Sequence, residues 1–182
     1  MKLELKNIKA RDGHAYGVSA YTATLYVDGV RAFTVENDGA GDLGHEYGVV
    51  GTSVSAPSPW DVDDWIKANL PKWSLNEKQA GGNQDAMKRV HDMTLDLWIA
   101  HEVRRHQYTK DFRKRARKYV MWIEKDDDGI KRVFETSLTE NDRAAKYDPV
   151  WAEIIEKEIP DAVVLNTLPL DEAVALYTEF SV

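Results

Sequence analysis

The sequence predicts an α+β fold: an N-terminal antiparallel sheet, a helical middle, and a C-terminal β-hairpin with helix–strand–helix. Three observations predict it. Asp28-Gly29 and Asp128-Gly129 each separate two runs of strand composition, and Asp-Gly suits a tight primed turn because both central residues need positive φ. Ser58-Pro59 and Asp148-Pro149 each pair a helix-capping residue with a proline fit for a first helical turn. Between them, residues 85–118 space their apolar side chains three and four apart. With 182 residues, 43% hydrophobic and including six Trp, the chain is long enough to bury a core and reads as a single α+β domain, 1–182. Composition allows subdomains at 1–57 (β-rich) and 58–182 (mixed).

Residues 3–8, LELKNI, alternate with period two and read as a strand. Residues 19–37 read as a hairpin. Tyr21, Ala23, Leu25 and Val27 line one face of its first arm, and Phe33 and Val35 alternate with Ala32, Thr34 and Glu36 on the return. Residues 37–59 are glycine-rich loop with one short strand near Tyr47–Val50. A helix follows to Pro71, with Ser58 as its cap and Asp61 at the capping-box position; Val62, Trp65 and Ile66 form its apolar face. After a loop at 72–84, one helical stripe runs through Met87, Val90, Thr94, Leu97, Trp98 and His101. Another runs through Tyr108, Phe112, Ala116 and Tyr119, and a break near His106–Thr109 is expected. Residues 118–138 read as the second hairpin, and a helix ends at Pro160. Residues 161–168 read as a short buried strand, and 169–180 as a final amphipathic helix bearing Leu170, Val174 and Tyr177.

Several chemistries are excluded or weakened. The chain has no Cys, so disulfides, thiolate metal sites and cysteine nucleophiles are ruled out within it, which fits a cytoplasmic setting. The opening MKLELKNIKA has no apolar h-region, so no signal peptide is expected, and no run approaches a membrane span. GAGDLG (39–44) has the G-x-G-x-x-G spacing that cradles a pyrophosphate. That device needs a helix to open at its third glycine, and the residues that follow, HEYGVVGTSVSAPSP, do not start one. It reads as a loop closing the first sheet; a small enzyme using it is the third functional reading. Glu124, Asp126, Asp128, Gly129 and Glu135 occupy ligand and turn positions of a calcium loop, but Lys131 stands where an aliphatic belongs and the flanks read as strands. HEVRRH (101–106) places its histidines five apart, which turns the rings roughly 140° from one another on a helix, where a zinc protease needs four. No catalytic residue, cofactor or metal is expected.

The clearest asymmetry is charge. Net charge is −7, yet residues 104–118 hold eight Arg/Lys and one Asp, so that segment is +7 and the rest of the chain −14. Arg104, Arg105, Lys110, Arg113, Lys114, Arg115, Arg117 and Lys118 are the candidate partner- or nucleic-acid-binding residues. Few aromatics project with them, so contact with phosphates or an acidic protein surface is expected, rather than base stacking.

The segment LKNIKA…YTATLYVDGVRAFTVENDGAG resembles a group of small proteins encoded by phages, plasmids and bacterial mobile elements. The likeness rests on Ala23, Leu25, Tyr26, Asp28 and Gly29, on the loop Asn37, Asp38, Gly39 and Gly41, and on the ending PDAVVLNTLP…EAVALY. Asp42 replaces the second glycine of the group's pair. The resemblance implies no catalytic residues. It implies a counter-defence role, of the kind played by anti-CRISPR inhibitors of RNA-guided nucleases, with a bacterial defence effector as partner. A nucleic-acid-binding accessory protein acting through 104–118 is the alternative.

Overall fold

The computed structural model describes residues 1–11, 20–39, 45–49, 56–74, 88–125, 129–138, 150–159 and 161–180. It has the mixed α+β architecture expected. Its contacts divide the chain into two units, Met1–Val103 and Arg104–Val182. The division lies within a helix.

In the first unit, β1 (Leu3–Arg11), β2 (Ala20–Val27), β3 (Val30–Asn37) and β4 (Glu46–Val49) form an antiparallel sheet in chain order. The β2–β3 turn has Asp28 at φ 48° and Gly29 at φ 82°, the two positive angles the Asp-Gly pair predicts. The turn is tied to the N-terminus: Lys2 N donates to Asp28 Oδ1 (2.6 Å) and Asp28 N donates to Lys2 O (2.8 Å). Beyond the turn, β3 carries one extra residue. Leu25 pairs with Phe33 and Tyr26 with Arg31, so Ala32 bulges and both Ala32 and Phe33 are buried. β1 runs past Ile8 to Arg11 because a bulge between Lys6 and Lys9, with Asn7 at φ 54°, resets its alternation. Leu3, Leu5, Ile8 and Ala10 can therefore all pack on the core.

Helix α1 (Pro59–Asn69) starts as its sequence predicts. Ser58 Oγ accepts from Asp61 N at 3.2 Å, and Asp61 Oδ2 accepts from Ser58 N at 2.9 Å. Val62 and Ile66 are fully buried against Leu25, Phe33 and Val35, with Trp65 at the margin. Trp73–Ser74 (β5) and Val90–His91 (β6) then form a two-stranded ribbon.

Helix α2 (Leu95–Arg115) differs from the sequence expectation in two ways. It begins at Leu95, because Val90 and His91 are drawn into the ribbon. The Thr94 hydroxyl accepts from Leu97 N (3.2 Å) and the Asp63 carboxylate accepts from Leu95 N (2.7 Å), supplying the orphan donors of the first turn. It is also unbroken through His106–Thr109, with no Gly or Pro inside it. The two stripes are out of phase, which in the sequence reads as two helices; each is simply buried in its own unit. In the first unit its fully buried residues are Leu95, Ile99 and Val103; of the expected stripe, Trp98 packs part-buried on the core and His101 is exposed, while Met87 lies outside the described residues.

In the second unit, Tyr108, Phe112, Ala116 and Tyr119 do pack inward. β7 (Tyr119–Lys125) pairs with β8 (Lys131–Ser137) and with the two-residue β9 (Val163–Val164), in the order β8-β7-β9. β7 is covered on both faces. Met121 and Ile123 meet Phe112 and the final helix α4 (Leu170–Phe180), while Val120 meets Ala152 and Ile155 of α3 (Val150–Glu158). The predicted strand at 161–168 is mostly replaced by a 3-10 turn, Leu165–Thr167. There Asn166 does what further strand pairing would have done. Its Oδ1 accepts from Met121 N (2.7 Å), and its Nδ2 donates to Tyr119 O (3.1 Å) and Ala116 O (3.4 Å). Replacing Asn166 by Ala leaves those part-buried backbone groups unpaired, which costs about 1–3 kcal/mol. A urea titration is expected to show a lower midpoint with an unchanged slope.

Candidate functional site

Arg104, Arg105, Lys110, Arg113 and Lys114 are exposed on α2, and Arg117 and Lys118 are exposed in the turn that follows. Lys110, Arg113 and Lys114, at i, i+3 and i+4, share one outward face. Arg113 and Lys114 also lie in the last helical turn, where cations complement the helix dipole. The turn behind them is held by its backbone. Lys118 N donates to Arg115 O (2.7 Å) and Leu138 N donates to Lys118 O (2.8 Å), so the Arg117 and Lys118 side chains leave a fixed scaffold. Among the described residues none of Lys110, Arg113, Lys114, Arg117 and Lys118 has a carboxylate within ion-pair distance. Arg104 rests its guanidinium over the Tyr108 ring, 5.5 Å from the centre.

Arg115 is different. Its Nε and Nη2 both donate to Glu135 Oε2 on β8 (3.1 and 2.6 Å), and its Nη1 reaches the Tyr177 hydroxyl (3.4 Å), which itself donates to Asp111 (2.6 Å). Glu135 beside it pushes the guanidinium's pKa further up. Arg115 thus ties α2 to β8 and α4, and the surface that can meet a partner consists of its neighbours.

Of the family-motif loop, Asn37 is buried and its Oδ1 accepts from Gly39 N at 2.8 Å. Gly39 has φ 77°, and a Cβ there would stand 3.0 Å from Ala20 N, so glycine is needed for a close turn against β2. Asp38 lies between them. Gly41 and the rest of GAGDLG lie outside the described residues, as do Asp126 and Asp128 of the calcium-like segment, whose flanks are strands β7 and β8.

One polar cluster was not foreseen. The His45 side chain is fully buried; its Nδ1 meets Asp96 Oδ1 at 2.7 Å and its Nε2 meets the Tyr21 hydroxyl. The Tyr47 hydroxyl also donates to Asp96. The order carboxylate–imidazole–hydroxyl has the form of a nucleophile relay, but its polarity is reversed. Asp96 is 44% exposed, whereas Tyr21, the would-be nucleophile, is 6% exposed within the core. The cluster ties β2, β4 and the start of α2 together. Its hydrogen-bonded partners are 24 to 51 residues apart in sequence, so no local spacing could have revealed it.

Comparison with protein-family models, with curated proteins and with solved structures finds no match for this chain. Among the described residues no helix is long and apolar enough to cross a membrane.

Two outcomes follow from this geometry. Arg115→Met is expected to lower stability by roughly 1 kcal/mol, a figure held down by the partial exposure of the Glu135 pair, while Lys114→Met stays within about 0.5 kcal/mol of the parent. Paired denaturation curves check it. Burial first, and then the Asp96 carboxylate, pushes the hydroxyls of Tyr21 and Tyr47 up from their ordinary pKa of 10. The folded state therefore holds these protons where the unfolded chain releases them. Their stabilisation is complete below pH 10 and is lost as the pH rises through the folded-state values. Ultraviolet titration alongside circular dichroism is expected to show these phenolates appearing only with unfolding, a step missing from a Tyr21→Phe, Tyr47→Phe double variant.

Proposed function

We propose that this chain is a non-catalytic interaction protein of a mobile element that inhibits a bacterial nucleic-acid-targeting defence complex, of the RNA-guided nuclease type. It docks through the basic end of α2. The observation that carries the reading is the group Lys110, Arg113, Lys114, Arg117 and Lys118, exposed on a fixed backbone with no carboxylate partner among the described residues. Charges left unneutralised within the fold are free to meet phosphates or an acidic protein surface. The resemblance of the N- and C-terminal segments to proteins of mobile elements supplies the biological setting.

The same cations favour a second reading, an accessory protein that binds nucleic acid directly. The two differ in what survives nuclease treatment. An inhibitor directed at the effector protein is recovered with that effector after nucleic acid is destroyed. A direct nucleic-acid binder is not, and its affinity for free DNA or RNA falls with salt by a log–log slope of roughly −0.7 to −0.9 per phosphate contacted.

The variant for both assays is Lys110→Glu, Arg113→Glu, Lys114→Glu, Arg117→Glu, with Arg115 kept so that its bond to Glu135 survives. Effector binding is expected to fall by at least about a hundredfold with melting temperature little changed. Unaltered binding by this folded variant would exclude the basic helix end as the working surface.

A further inference from the structure

We propose that the outer face of the first sheet is a binding site for a short peptide zwitterion, about three residues long with free termini. The face is concave, enclosing about 540 Å³. Strand register builds it in two rows. One row crosses the sheet as Lys9, Thr22, Glu36 and Glu46, each directly opposite the next, and all four line the concavity. In this row Lys9 thus stands at one end, a hydroxyl in the middle and two carboxylates at the other end; Arg31 lines the same concavity outside the row. Glu36 and Glu46 are like charges in a cross-strand pair, an arrangement that destabilises a sheet unless something cationic lies against it. Among the described residues neither carboxylate has an ion-pair partner, and neither does Lys9.

The second row is the floor: Thr24, Thr34 and Gly48, again directly opposite one another. Thr24 is only 5% exposed and lines the concavity. The Thr34 hydroxyl donates to Gly48 O (3.2 Å), and any Cβ at position 48 would collide with Thr34 Oγ1. Glycine there keeps the floor low where β4 joins β3.

The chemistry follows from this layout. An ammonium fits between Glu36 and Glu46, a carboxylate fits Lys9, and peptide N–H and C=O groups between them meet the threonine hydroxyls. Strands lie about 4.8 Å apart, so Lys9 is roughly 10 Å from Glu36 and roughly 14 Å from Glu46 along the row. A lone amino acid is too short to span this. An extended chain covers about 3.3–3.6 Å per residue, so three residues bridge the two charged ends once the side chains converge.

The test is an amide-resolved NMR titration of the full chain with triglycine, N-acetyl-triglycine and triglycine amide. Triglycine is expected to give saturable shifts centred on Thr22, Thr24, Thr34 and Gly48. Blocking either terminus is expected to weaken binding at least about tenfold. Glu46→Gln reproduces the loss seen on acetylation, and Lys9→Met the loss seen on amidation; both positions are exposed, so the fold is retained. Thr24→Val, close to isosteric, weakens triglycine without unfolding the sheet. Absence of saturable shifts, equal affinity for the three peptides, or undiminished binding by both charge variants would overturn the assignment.

Discussion

The point at which α2 begins governs what the first unit buries. Asp63, from α1, accepts the Leu95 amide, and Thr94 accepts the Leu97 amide. With the first turn set there, Leu95, Ile99 and Val103 are the residues that reach the first core, together with Val62 and Ile66. Further along the same helix, Tyr108 and Phe112 reach the second core. The capping residue is held in turn: Lys67 bonds the second oxygen of Asp63 at 2.5 Å. A short chain of polar contacts thus sets where this 21-residue helix begins.

The far end of α2 shows how a charged surface is kept orderly. Eight cations crowd residues 104–118, and mutual repulsion there works against a compact state. The fold commits Arg115 among them to an ion pair. Arg115 is neutralised by Glu135, and Asn166 gathers the Ala116 and Tyr119 carbonyls and the Met121 amide into one side-chain amide. Lys110, Arg113, Lys114, Arg117 and Lys118 then project from a backbone whose hydrogen bonds are already made. Rigidity lies in the backbone and charge at the side-chain tips, a division that suits contact with an extended anion.

What could be read from sequence was whatever is local. The Asp28-Gly29 turn, the Ser58/Asp61 capping box and the inward seam at Tyr108 and Phe112 are all set by residues within a few positions of one another. The exposure of the basic residues is equally a composition-level reading. What escaped was long-range. The ribbon that takes Val90 and His91 out of the helical pattern depends on Trp73 and Ser74. The role of Arg115 depends on Glu135, twenty residues on, and nothing near Arg115 distinguishes it from Lys114. Asn166 lies 45 residues from the amide it satisfies, and the His45 cluster draws on three separate elements. The two bulges, at Asn7 and Ala32, were likewise invisible, because a bulge appears as broken alternation only once the partner strand is known.

The Gly48–Thr34 contact also bears on how this chain can change over evolutionary time. Because a Cβ at position 48 meets Thr34 Oγ1, substitution at 48 is blocked while Thr34 keeps its hydroxyl in place. Losing the Thr34 side chain first removes the obstruction and also removes the bond to the Gly48 carbonyl. The two positions therefore form an epistatic pair whose permitted order of change runs from 34 to 48, and their effects on stability are non-additive. A lineage that abandons the smooth floor of this sheet would carry a small residue at 34 before any side chain appears at 48.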